Sequence, residues 1–451
     1  MAWVRAVALV GLLLVLAPMA AVADQPTSSP AITVTSSKTS DGVRYDIAVE
    51  PTTADGLWVD PGVEFDVVGV SGLTETKSGE RRFYRWDGSS SVAKLTLEYT
   101  VTNSHAVSGG PEYTKTDEWV LGPVPALEVT WQQDGDQHTL RPFEQRETGV
   151  TIATNGPGVV GKRYAFLGPY DQYQRTANGE TIRLVIPRGA ETVDEPSRIL
   201  DTLSESSGSL GIGEPRGSVL LFALPDPARR GGESFLRMRE LWVHADSRLD
   251  TPNNVWLHEY VHTRQAFTLA PEMQWLREAS AEYYGARLAA EQGLVSEREA
   301  QQFVTKPGYE DAVLAEPASW DSRAVPYTKG MRTLATLDQR IQTATDGERS
   351  LADVLTRLNT YDGTITYEVF EQTVESVAGE SVDDWLWEQV YERDPLKPLS
   401  TPWVMHQARE AVTPLGLAGI GQTSVLGSLG VATLGLTALG LTRRFYHGRR
   451  R

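Results

Sequence analysis

Residues 258–262 read His-Glu-Tyr-Val-His, in a chain of 451 residues with only seven histidines. Two imidazoles four positions apart share a face when the chain is helical, so this stretch commits its surroundings to a helix. The shared face has a chemical use if both rings reach one metal ion. Glu259, beside the first ring, then meets a water on that ion rather than the ion itself. Zinc in such a place acidifies the water and polarises a carbonyl, while the glutamate accepts the proton, which is the chemistry of amide hydrolysis. The plain alternative is a pair of histidines on a helix surface with an ordinary acidic neighbour.

A catalytic zinc takes three protein ligands and leaves one place open. Residues 275–284, Trp-Leu-Arg-Glu-Ala-Ser-Ala-Glu-Tyr-Tyr, carry Glu278 sixteen positions after His262 and Glu282 one helical turn later. Trp275, Leu276, Ala279, Tyr283 and Tyr284 surround the two carboxylates, which argues against a solvated acidic stripe. Buried carboxylates need a reason to stay charged, and a divalent cation supplies one. One of the pair serves as third ligand, and the other accepts the remaining N–H of a ligating imidazole. The chain has no cysteine, which excludes thiol nucleophiles, disulfides and cysteine metal sites.

Together these motifs resemble the gluzincin zinc metallopeptidases, which include thermolysin and the aminopeptidase N and glycyl aminopeptidase families. The resemblance implies a thermolysin-like catalytic domain with one zinc ion per chain, held by His258, His262 and Glu278. It implies Glu259 as general base and Glu282 as the support of the first histidine. The interval from His262 to Glu278 is a few residues shorter than those families show, so Glu282 stands as the alternative ligand. Val-Pro-Tyr-Thr-Lys-Gly at 325–330 resembles the segment of aminopeptidase N relatives whose tyrosine donates to the developing oxyanion, here Tyr327. Gly231-Gly232-Glu233 lies where those relatives hold the substrate's free amine, without their Met-Glu-Asn order, and Glu233 is the expected anchor. His244 fits a structural role better than a ligand's. The resemblance covers roughly residues 193–395 and is specific around 256–285 and 325–330. It implies a peptide or protein substrate cut by an aminopeptidase, with a thermolysin-like endopeptidase as the alternative. A non-catalytic cell-surface binding protein on a peptidase scaffold is the rival from another class; it predicts a lost base or ligand, and none is lost.

The rest of the chain frames this site. Residues 31–192 hold short runs of alternating apolar and polar residues between Gly, Pro, Asp and Ser clusters, the pattern of a β-sandwich-like domain. After Asp194 come a helix, a buried strand and an edge strand, and from Pro252 helical periods dominate. The expected class is α+β and multidomain: a β-rich domain at 24–192, a mostly helical catalytic domain at 193–395 and a linker at 396–414. Residues 1–23 read as a secretory signal peptide, with Arg5, an apolar run and Ala21-Val22-Ala23. Residues 415–442 lack any charge and are long enough for a transmembrane helix, and the arginine-rich 443–451 marks a cytoplasmic tail. The expected location is the cell membrane, single-pass, with the catalytic domain extracellular. A net charge of −17 weighs against nucleic acid as a partner. It fits an ordinary acidic protein and a halophilic one equally well.

Overall fold

The alternation at residues 31–50 folds as it reads. In the computed structural model, Ala31–Lys38 turns Ile32, Val34 and Ser36 inward, and Gly42–Glu50 turns in Val43, Tyr45, Ile47 and Val49. The structure describes residues 29–393 except 52–55, 80, 104–112, 146–148, 216 and 236–237. The expected signal peptide, linker, membrane span and basic tail therefore lie outside the described residues. Among the described residues, no helix is long and apolar enough to cross a membrane.

Three sheets make the β-rich domain. The first has strand order Val150–Thr154, Ala31–Lys38, Gly42–Glu50, Ala93–Thr100, Asp66–Ser71, and only its first pair is parallel. The second is antiparallel, in order Asp136–Leu140, Glu128–Gln133, Trp58–Asp60, Arg81–Trp86, Leu73–Ser78. Ile47, Leu95 and Leu97 of the first meet Val59, Tyr84 and Val129 of the second in one dry core, as a sandwich requires.

The third sheet has the order Gly158–Val160, Tyr164–Leu167, Val120–Pro123, Thr114–Lys115, and its two central strands are buried on both faces. Ala165 and Leu167 point into the sandwich core. Tyr164 and Phe166 point the other way, onto Phe222 and Trp242 of the following sheet. A buried carboxylate pins this junction: Glu240 accepts the backbone N–H of Lys162, of Arg163 at 2.8 Å and of Tyr164 at 3.1 Å. Burial pushes its pKa up, and these amide donors oppose that shift. The carboxylate fits because residue 161 is glycine; a Cβ there would lie 2.4 Å from Glu240 Oε1.

The region built on the fourth sheet takes in strands from before residue 193. Tyr170–Ala177 and Glu180–Pro187, joined by an Asn178-Gly179 turn with φ of 53° and 78°, belong to its sheet rather than to the β-rich domain. Glu180–Pro187 pairs in parallel with Gly217–Leu224 through the crossover helix α1 (Pro196–Ser209). Periodicity marks a strand but does not say which sheet it joins, and this pairing is non-local. The sheet continues with Glu240–His244 and ends at Gly232–Phe235, an antiparallel edge strand. The helices that follow are α2 (Val255–His262), α3 (Trp275–Glu291), α4 (Glu297–Val304), α5 (Met331–Ala344), α6 (Leu351–Asn359), α7 (Tyr367–Ala378) and α8 (Asp383–Tyr391). Only α2 departs much from the pattern read in the sequence, which runs on to residue 268. Thr263, Arg264 and Gln265 donate to carbonyls three residues back, closing the helix just after His262.

Candidate metal centre

Helix α2 starts where Asn254 caps it, its Oδ1 accepting from Leu257 N at 3.1 Å. Trp256, Leu257, Tyr260 and Val261 enter the core, which turns His258 and His262 together toward α3. Gly285 lets the helices approach, since a Cβ there would meet the His258 backbone nitrogen at 3.3 Å.

Three donor atoms converge at this contact. His258 Nε2 and His262 Nε2 are 3.1 Å apart, and Glu278 Oε2 lies 3.3 Å from each. The outer ring nitrogens are engaged elsewhere: His258 Nδ1 with Glu282 Oε2 and His262 Nδ1 with Gln265 Oε1, both at 2.8 Å. Glu282 and Gln265 both accept here, so both Nδ1 atoms donate; when the rings are neutral, both Nε2 atoms present lone pairs. Burial lowers the His258 pKa, but its contacts with Glu278 and Glu282 outweigh that and hold it well above the usual imidazole value, so the triangle favours a positive charge, either a proton on His258 or a metal cation among the three atoms. Donors about 2.0–2.1 Å from a tetrahedral zinc stand roughly 3.3–3.4 Å apart, close to the spacing here. The residues therefore fit zinc. Glu282, the alternative ligand, sits on the far side of the His258 ring from the triangle.

Burial pushes the Glu278 carboxyl up, but the His262 and His258 imidazoles outweigh it and hold the pKa well below the usual range. The Glu278 side chain keeps 31% of its exposure, so the triangle is open to solvent on that side. Glu259 is fully inside, and burial raises its pKa against the pull of both histidines. Its Oε2 accepts from Ser234 Oγ at 2.8 Å, on the edge strand. Gly232 makes room, because a Cβ there would stand 2.6 Å from Glu259 Cγ.

Tyr327 completes the cluster. Its ring stacks on His258, with centroids 5.6 Å apart and planes 14° apart, and its hydroxyl donates to Glu278 Oε2 at 2.7 Å. Burial first, then Glu278, pushes its pKa up, so the phenol stays protonated. It rides on a π-helical turn, Pro326–Gly330, that leads into α5. Lys329 Nζ donates to the carbonyls of Glu310, Ala312 and Glu392 at 3.2, 2.6 and 3.2 Å, anchoring the turn.

The structure does not bring Glu233 to this cluster. Gly232 and Ser234 occupy the strand face toward Glu259, so Glu233 between them faces the opposite side. There it pairs with Arg229 at 3.5 Å and lies near buried Tyr164. His244 is also elsewhere, its Nδ1 accepting from Asp246 N at 3.2 Å. Ser234 and Gln265 are contacts the sequence reading does not anticipate. Nothing in their local pattern marks them, because each depends on a neighbouring element arriving beside it.

The chain's fold is that of known zinc peptidases. An aminopeptidase N family protein from Idiomarina loihiensis superposes with a TM-score of 0.54 at 15% identity, covering 81% of this chain and 77% of that one. An M1 zinc metallopeptidase from Deinococcus radiodurans does so with a TM-score of 0.51 at 14% identity, covering 83% and 95%. No family model matches the chain, and no curated protein matches it by sequence.

The geometry sets an expectation for metal content. Elemental analysis of purified protein should find close to one zinc per chain, lost in His262→Ala and more in Glu278→Ala than in Glu282→Ala. Full retention by His262→Ala would contradict this ligand set.

Proposed function

We propose that the protein is a zinc-dependent metallopeptidase that hydrolyses peptide bonds with water. What carries this reading is the lone-pair triangle with a buried carboxylate next to it on the same helix. When bound there, zinc would acidify a water and polarise the scissile carbonyl. Glu259 takes the proton of the attacking water and passes it to the departing nitrogen. Its raised pKa suits a base that must release that proton again. Ser234 Oγ, 2.7 Å from the Glu259 carbonyl and 2.8 Å from its Oε2, fixes that side chain against the edge strand. Tyr327, a protonated donor beside the triangle, hydrogen-bonds the carbonyl oxygen as negative charge builds on it. Gly232–Phe235 is the edge strand of its sheet beside this site, where an extended substrate can add as a further strand.

Two finer readings divide at the substrate's amino end. An aminopeptidase is the first, from the Glu233 motif and from the shared fold. An endopeptidase is the second, and a specific observation favours it: Glu233 faces Arg229, while the cleft side of its strand offers Gly232 and Ser234. The sequence ends complete the picture, with residues 1–23 as a removed leader and 415–442 as the membrane span that leaves the catalytic domain outside the cell.

Three measurements test this. Glu259→Gln should lower peptidase activity by about 10²–10⁴-fold, typical of a lost general base, with zinc still bound. Near-normal activity would remove Glu259 from the role. A peptide and its N-acetylated form should be cut at very different rates by an aminopeptidase and equally by an endopeptidase. On intact cells, added protease should reach the catalytic domain; full protection contradicts the topology.

A further inference from the structure

We propose that Gln265 is a positioning residue for the metal centre, fixing which nitrogen of His262 faces the ion and tying that ring to the helix that carries Glu278. The inference rests on the zinc-peptidase reading. Only one nitrogen of a neutral imidazole can offer a lone pair. Gln265 Oε1, 2.8 Å from His262 Nδ1, can only accept, so Nδ1 carries the proton and Nε2 is left for the metal.

The amide is itself locked in that orientation. Gln265 Nε2 donates to the Arg277 carbonyl at 2.9 Å and to Ser280 Oγ at 2.9 Å. Ser280 Oγ gives its own proton to the Leu276 carbonyl at 2.7 Å, which leaves it an acceptor toward Gln265. A flipped amide would set its oxygen against the Arg277 carbonyl. Gln265 is 1% exposed, so no bulk water can replace the acceptor if it is removed.

Arg277 precedes Glu278, so the same amide that orients the second ligand also holds the chain leading into the third. The tight closure of α2 after His262 is what lets Gln265 fold back onto the ring. The two histidines are thus served by different chemistry, a carboxylate at His258 and a neutral amide at His262. A carboxylate at 265 would be the fourth in this cluster, beside Glu259, Glu278 and Glu282.

The test measures zinc affinity by competition with a chromophoric chelator and follows the His262 Nδ1–H signal by ¹H–¹⁵N NMR of the zinc-loaded protein. Gln265→Met, of similar length but without acceptor or donor, should weaken zinc binding about 10–100-fold, the usual effect of losing a ligand's hydrogen-bond partner. It should also lose the His262 signal while that of His258 stays. Gln265→Glu keeps the acceptor but sets its second oxygen against the Arg277 carbonyl; it should keep the His262 signal and lose clearly less affinity than Gln265→Met. Unchanged affinity in Gln265→Met overturns the proposal. So does an equal loss in both variants, which would reduce Gln265 to a strut between α2 and α3. A wild type that binds no zinc would overturn the metallopeptidase reading beneath it, an outcome distinct from either.

Discussion

Two imidazole nitrogens and a carboxylate oxygen meet within 3.3 Å of one another, three acceptor atoms face to face once both rings are neutral. On its own that arrangement is repulsive. It persists because each ring's other nitrogen is committed outward, to Glu282 and to Gln265, and because α2 and α3 are pressed together by Trp256, Trp275 and Tyr283 in a common core. A divalent ion at that point would turn the repulsion into coordination. The buried Glu259, the stacked Tyr327 and the anchored turn beneath it are all arranged around that one point.

The scaffold serves the same point from the other side. Gly232–Phe235 has to lie close enough for Ser234 to reach Glu259, and it hangs on Glu240–His244. The Glu240 carboxylate at the start of that strand is clamped by three backbone amides of the β-rich domain. The third sheet of that domain, packed through Phe166 on Phe222, therefore braces the strand that borders the cleft. The β-rich domain supports the site without contributing a group to the triangle.

Much of this was legible in the sequence where the causes are local. His258, Glu259 and His262 are fixed by helical period alone, and Glu278 and Glu282 by a second helix with an apolar surround. What the sequence hid depends on where chain segments meet. A helical period that continues past His262 concealed the turn that brings Gln265 back. The placement of Glu233 turned on strand parity, where one residue's shift exchanges the two faces, and put Ser234 against Glu259 instead. Residues 181–187 read correctly as a strand, yet their parallel partner is Gly217–Leu224, across a crossover helix, so the sheet they join could not be read from alternation.

Diffraction data collected on both sides of the zinc absorption edge would test the metal centre most directly. Crystals of the zinc-loaded protein should show one anomalous peak inside the triangle, about 2.0–2.1 Å from His258 Nε2, His262 Nε2 and Glu278 Oε2. A peak bound instead by Glu282, or zinc found only outside the triangle, would contradict it.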